Sequence, residues 1–395
     1  MKRIQTEQSS FFLILIVISM AVSPSFALGE GNRNLLLIGV MALSPLIIIK
    51  YGNFYRSDIW LLLFMASIVL IPPIAHPESV RWSTIMYAIM FSITFISYKK
   101  LLYRKYFTVE NYQKLLKYLI YAYFSVLLIQ QFCVLTGLPI FNLGNYNPIE
   151  PWKLNSLASE PSHSARIVAL LMFSYIIIKE LIVKRKYNFR LDIKQDKWVW
   201  ISFLWVMLTM GSSTAFLFIV IVLLKLIQFK NLIPLFVIFG LSMILVNVME
   251  ITSFERTYKA SMATLTLDKN IILTADHSAA MRILPMIVSV EMINFTSTDG
   301  WFGYGIDYLG TFLYKVVPGY PEGASGGGLF QLWIEYGFVS FILFVVFSLF
   351  ATIKKGDYSD LVFWFMIIMF NSVNSQIAWL FIVLFFTNKY FKKNA

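Results

Sequence analysis

Residues 82–98 read WSTIMYAIMFSITFISY, and residues 99–117 that follow read KKLLYRKYFTVENYQKLLK. The first stretch carries no charge; the second holds six Lys and Arg against one Glu. A helix crossing a hydrocarbon core of about 30 Å needs about 20 mostly apolar residues, with a range of about 17–25. Cytoplasmic loops collect Lys and Arg. The junction therefore predicts a membrane span delivered onto a basic inner surface, and the rest of the chain is read outward from it.

The 395 residues are 58% hydrophobic and only 14% charged, with a mean hydropathy of +0.71. That composition excludes an ordinary soluble domain. A single cysteine, Cys133, excludes an internal disulfide framework and a cysteine metal site, and three histidines leave little for a metal centre. No cofactor is expected.

Apolar runs predict spans near 11–28, 35–49, 59–75, 82–98, 118–138, 164–183, 198–210, 215–229, 232–250, 328–352, 359–371 and 375–388. The fold class is all-α, a polytopic membrane protein with about 12 transmembrane helices forming one integral membrane domain over 1–395. The first run ends SPSFA, which offers a signal-peptidase site as an alternative to a retained helix. Charge favours retention. With the N terminus inside and twelve passes, 24 Lys and Arg fall inside and 9 outside, while 8 acidic residues fall inside and 13 outside. Both termini are then cytoplasmic. The basic balance reports orientation, with no nucleic-acid partner implied.

Two pairs of passes, 198–229 and 359–388, are short, with polar tips at GSST (211–214) and NSVNSQ (371–376). Polar turns at membrane depth survive only within protein or beside water. A single long tilted helix for each pair is the rival reading, disfavoured because it moves Lys225 and Lys230 outside. External loops span about 139–163 and 251–327, the second between spans 9 and 10. Within it, 278–295 predicts a helix in or on the membrane surface despite Pro285.

LASEPSHSAR (157–166) opens the sixth span. If that helix starts near Ser159, Glu160, His163 and Arg166 follow at i, i+3 and i+6 and face roughly one way. One reading makes Ser159 the cap, with Glu160 at the positive helix end and His163 and Arg166 in water. The other makes Glu160 and His163 an acid/base pair. In TADHSAAMRILP (274–285), Asp276 or Ser278 caps a helix and Arg282 snorkels, or Asp276, His277 and Arg282 receive an anion. The glycines of GYG (303–305) and GGG (326–328) read as turns that let backbone approach closely. No GxxxxGK[ST], GxSxG or HExxH occurs, so nucleotide-driven and metalloprotease mechanisms have no support.

The order of these parts resembles the O-antigen polymerase (Wzy) family, with more distant similarity to O-antigen ligases. The parts are a dozen spans, SEPSHSA opening a mid-chain helix, the hairpin MGSSTAF, and a late external loop with an Arg. GWFGYGIDYLG and GGGLFQLWIEYGFVSFILF then follow. The resemblance implies joining of undecaprenyl-diphosphate-linked oligosaccharide units on the periplasmic face of the bacterial inner membrane, without metal or nucleotide. It implies Glu160, His163 and Arg282 as catalytic residues and Arg166 on the substrate; Asp276, His277, Tyr304, Ser212 and Ser213 are further candidates to bind the substrate. Expected partners are the lipid-linked glycan, membrane lipid and a polysaccharide chain-length regulator.

Two departures from the family pattern stand out. Ser212, Ser213 and Thr214 lack the basic partner often found in the family's short hairpin. Gly326, Gly327 and Gly328 stand where ligase-like relatives carry a His-Asn pair, which favours polymerase over ligase. Trp152, Trp301, Tyr304 and Tyr308 are candidates to stack on sugar rings. Glu160 and Arg166 are expected to face Arg282 across a cavity. A lipid-linked oligosaccharide flippase is the alternative from another class; it should place ionisable residues deep among its helices.

Overall fold

The computed structural model describes residues 2–29, 33–52, 54–105, 107–143, 148–226, 252–323, 326–354 and 357–394. Among them the regular structure is helical; the one pairing of extended backbone is an isolated bridge between Leu28 and Asn34. Helices occupy eleven of the twelve apolar runs, and the run 232–250 lies outside the described residues. Among the described residues four helices are long and apolar enough to cross a membrane: Arg56–Ala75, Trp82–Tyr103, Val109–Thr136 and Gly328–Thr352. Large apolar side chains stand exposed along helices, among them Ile74, Phe132, Leu135, Trp198 and Phe350. In water such a surface would aggregate; beside lipid tails it is solvated. The molecule is a membrane protein.

The chain forms two compact units, the first comprising Met1–Val40, Leu101–Thr257 and Val383–Ala395, the second Met41–Lys100 and Tyr258–Ile382. The first unit is organised around α6 (Pro161–Val183), flanked by α5 (Val109–Thr136), α7 (Phe189–Thr209) and α8 (Ser213–Leu224). α1 (Lys2–Ala21), which α2 (Leu35–Tyr51) follows in the chain, also packs on α5. α6 has no polar stripe to turn outward, and nearly all of it from Ser162 to Lys179 is buried, as expected of a helix apolar all round. Phe173 of α6 stacks on Phe385 with centroids 5.4 Å apart, and Asn388 Nδ2 donates to Ser174 Oγ at 3.0 Å.

At the far end of α6, Asp196 accepts from the Tyr175 hydroxyl at 2.7 Å and lies 3.3 Å from Lys179 Nζ. Arg185 makes two bonds to Asp192, at 2.7 and 2.8 Å. These pairs fasten the first turns of α7 to α6 and to the 184–188 turn between them.

The second unit is built on α3 (Ile59–Ala75) against α14 (Gly328–Thr352), with α4 (Trp82–Tyr103) carrying part of its core. Trp379, fully buried, stacks on Phe91 at 5.6 Å. Lys99 and Asp58 form a buried ion pair at 2.5 Å, and the Asp58 carboxylate also accepts from the Tyr55 N–H at 2.8 Å. The late loop folds into α9 (Thr252–Thr266), α10 (Lys269–Ala275), α11 (His277–Glu291), α12 (Thr298–Phe302) and α13 (Tyr308–Val316).

Both short apolar pairs break at their polar tips. Between α7 and α8 the chain turns through Gly211 at φ 68. α15 (Tyr358–Ile368) and α16 (Gln376–Asn394) are separated by residues 369–375. There Asn371 Nδ2 donates to Ile367 O at 2.6 Å, and Ser375 Oγ donates to Asn371 Oδ1 at 3.1 Å. A single continuous helix through either pair is excluded.

The helix anticipated over 278–295 forms as α11, with Pro285 inside it. Its buried stripe of Ala280, Leu284 and Val288 packs with Leu309, Leu313, Val317 and Ile334. The apolar face that the sequence offers to a membrane surface is thus covered by protein.

Candidate functional site

The sixth helix is delivered by a loop that hydrogen-bonds itself into place. Gln130 Nε2 donates to Phe141 O at 2.8 Å and to Asn155 Oδ1 at 3.1 Å, while Gln130 Oε1 accepts from Ser156 N at 2.8 Å. Ser156 takes a left-handed φ of 50, donates through Oγ to Tyr123 O at 2.6 Å, and its carbonyl accepts from Asn142 Nδ2 at 2.6 Å. All four side chains are buried and matched, the condition under which a polar network rigidifies its surroundings.

Pro161 is the first helical residue and Glu160 the cap position, with φ −143 and ψ 153. Ser159 is therefore not the cap. Its hydroxyl lies 2.9 Å from His163 Nδ1 instead. Glu160 makes no side-chain cap bond; the Ser162 hydroxyl donates to Glu160 Oε2 at 3.2 Å, and His163 Nε2 stands 3.9 Å from the same oxygen. The Glu160 side chain is 55% exposed and His163 36%. An accessible carboxylate and an imidazole, each held by a serine, can accept and pass a proton.

Arg166 does not bathe in water. It is buried in the first unit, with Nε donating to Ser162 O at 3.2 Å. It packs beneath the pair, because α6 is surrounded by other helices at that depth.

The α7–α8 tip belongs to the same unit. A Cβ on Gly211 would come within 3.2 Å of the Trp152 carbonyl oxygen, so the tip and the 148–160 loop meet backbone to backbone. Ser212 is buried and occupies the cap position of α8 without a side-chain cap bond. Ser213 opens α8, and its side chain lies outside the described residues.

In the second unit, Asp276 caps α11: its Oδ1 accepts from Ala279 N at 2.7 Å. The capping reading describes what Oδ1 of Asp276 does here. His277 and Arg282 are exposed, and Arg282 lies on the side of α11 away from the buried stripe. Tyr304, Tyr308 and Phe312 form a stacked ladder with centroids 5.0 and 5.6 Å apart. Both faces of Tyr308 are thereby occupied, which leaves a sugar no face there. Trp301 is engaged edge-on by Phe295 and Phe338 and donates through Nε1 to Phe295 O at 2.9 Å.

The glycines behave as read, as points of close approach. The 300–305 turn is inserted into a break in α14 at Gly337, where φ is 85 and ψ 166. Tyr304 N donates to Ile334 O at 2.7 Å, and Trp333 Nε1 donates to Gly300 O at 2.9 Å. A Cβ on Gly328 would overlap the Met369 carbonyl oxygen.

Two features escaped the sequence reading. Loop 76–81 holds this turn: His76 Nε2 is 2.8 Å from Gly303 O, and Arg81 pairs with Asp307 at 2.7 Å. The hydrogen bond and charge of Asp307 hold the Arg81 guanidinium above its ordinary range. Glu335, two turns into α14, is buried, and Gln331 Nε2 donates to its Oε2 at 3.0 Å. The visible signal was IEYG, a lone Glu two residues before a Gly in an apolar run.

Glu160, His163, Arg166, Ser212 and Ser213 belong to the first unit, and Asp276, His277, Arg282 and Tyr304 to the second. Comparison with family models, with curated proteins and with solved structures returns no match.

Proposed function

We propose that the protein is a multi-pass glycosyltransferase of the O-antigen polymerase type, acting on undecaprenyl-diphosphate-linked oligosaccharides at the periplasmic face of a bacterial inner membrane. The observation that carries this reading is the Ser159–His163–Glu160 cluster. An imidazole and a half-exposed carboxylate stand 3.9 Å apart at the head of a buried helix.

Contacts within each unit support the twelve-pass orientation, because segments assigned to one side touch each other. In the first unit Ser23 N, at the outer end of the first span, donates to Leu157 O of the external loop at 2.8 Å. In the second, His76 touches Gly303, both external, and Leu329 N donates to Met369 O at 3.1 Å where two spans reach their outer ends. Lys99 pairs with Asp58, both cytoplasmic.

In the proposed reaction Glu160, assisted by His163, takes the proton of an acceptor sugar hydroxyl. The freed oxygen bonds to the anomeric carbon of the donor, the bond from that carbon to phosphate breaks, and the electron pair leaves with the lipid diphosphate. Arg282 is assigned to the developing charge: a guanidinium matches phosphate oxygens in pairs. The lipid diphosphate is already an activated leaving group.

A second reading, a lipid-linked oligosaccharide flippase, is favoured by Glu335, buried at the broken α14. Interrupted helices with buried ionisable groups mark transport pathways. One experiment separates the readings: purified protein is given synthetic lipid-linked repeat units without nucleotide. A ladder of longer lipid-linked glycans is expected. Transfer only to lipid A core would indicate a ligase, and substrate crossing liposomes without any new product would replace the enzyme with a flippase.

A further inference from the structure

In the first unit, the turn joining α4 to α5 and the ends of α6 and α16 border an open cavity of about 310 Å³. Lys105, Phe107, Leu181, Tyr390, Phe391 and Asn394 line it. The lining is amphipathic. One ammonium, one phenol and one amide share the wall with two phenyl rings and a leucine, a combination that suits neither a wholly apolar guest nor a fully hydrated ion.

Charge narrows the occupant. Residues 103–110 and 389–394 carry Arg104, Lys105, Lys389, Lys392 and Lys393 against the single acid Glu110. Lys105 is exposed and sits at the turn with φ 59. Val109, the first residue of α5, also lines the cavity, so the positive end of a 28-residue helix opens there. In the orientation proposed above this end lies at the cytoplasmic headgroup level, where anionic lipids attract juxtamembrane Lys and Arg.

We propose that this cavity is a binding site for the headgroup of an anionic phospholipid of the cytoplasmic leaflet. Its phosphate lies on Lys105, and the upper acyl chain lies against Phe107, Leu181 and Phe391. The site is independent of the glycan chemistry and stands or falls without it.

The full-length protein is reconstituted in nanodiscs of mixed phosphatidylglycerol and phosphatidylcholine, extracted into detergent, and its retained lipid identified by native mass spectrometry. Phosphatidylglycerol is expected to be retained over phosphatidylcholine. Lys105→Ala lowers that retention about fivefold, and Lys105→Arg preserves it. Leu181→Trp, which narrows the cavity without touching its charge, lowers it as well. Equal retention of the two lipids overturns the proposal, as does retention unchanged in both Lys105→Ala and Leu181→Trp. Displacement of the lipid by inorganic phosphate alone would identify a free-anion site and overturn the lipid assignment.

Discussion

Gly303 and Gly337 meet backbone to backbone: a Cβ on Gly303 would lie 2.8 Å from Gly337 N, and one on Gly337 would lie 2.4 Å from the Trp301 carbonyl oxygen. Neither residue has room for a side chain, and both hold φ at 85. The late loop is keyed into the broken helix at this point, and the aromatic rings of Phe295, Trp301, Trp333 and Phe338 close around it.

Gly337→Ala should therefore destabilise the protein strongly. A backbone region open almost only to glycine costs about 1–3 kcal/mol, and overlap with Trp301 O adds about 1–3 kcal/mol. Thermal unfolding in detergent, followed by far-UV circular dichroism, should show a markedly lower midpoint. A wild-type melting curve would remove the interlock from the account of the fold.

Glu160→Gln should cut ladder formation by about 10²-fold or more, the usual contribution of a general acid or base, with the melting midpoint unchanged because the side chain is half exposed. Ser159→Ala should reduce the rate less, because it loosens His163 without removing it; Ser159→Thr should restore it. Full activity in Glu160→Gln would take the carboxylate out of the reaction.

Arg282 stands on the exposed side of α11, away from Ala280, Leu284 and Val288. Arg282→Ala should lose polymerisation without loss of stability, and Arg282→Lys should recover only part of it, since an ammonium cannot bond phosphate oxygens in pairs. Parallel loss of activity and melting temperature would mark a structural role instead.

The Lys99–Asp58 pair should reveal itself by asymmetry. Lys99→Met alone leaves a buried carboxylate without its cation and should cost about 3–5 kcal/mol. Adding Asp58→Asn should recover a good part of that loss. Additive effects in a double-mutant cycle would show that the two charges do not depend on each other.

The Arg185–Asp192 pair at the start of α7 predicts a pH dependence. Burial raises the Asp192 carboxyl, but the Arg185 hydrogen bond, the Asn188 N–H and nearby cations outweigh it and hold it below the ordinary carboxylate range. A folded-state pKa below the unfolded value gives stability that is present above about pH 3.9 and lost as pH falls through the depressed value. The gap in melting midpoint between wild type and Asp192→Asn should be full at neutral pH and close in acid. A gap that is constant across that range would exclude the pair as its source.

Some of the site was legible locally and some was not. Pro161 at the head of α6 and the turn glycines could be read from residue type, because a missing N–H and a missing Cβ act within a few residues. The cap was misplaced by one residue, since Ser159 turned to His163 four positions on. Arg166 looked like its exposed neighbours; the helices packed around α6 bury it. Glu335 gave little warning, because its burial depends on how distant segments pack against α14.

Hydropathy and charge by themselves determined that this is an all-helical membrane protein and where most of its helices lie. Both are sums over neighbouring residues, and a bilayer responds to such sums. The tertiary structure alone decided the division into two compact units, the break of α14 at Gly337, and the opposite fates of Glu160 and Arg166. Those outcomes turn on which distant backbone and side-chain atoms approach within a few ångströms, a quantity that no local window of residues contains.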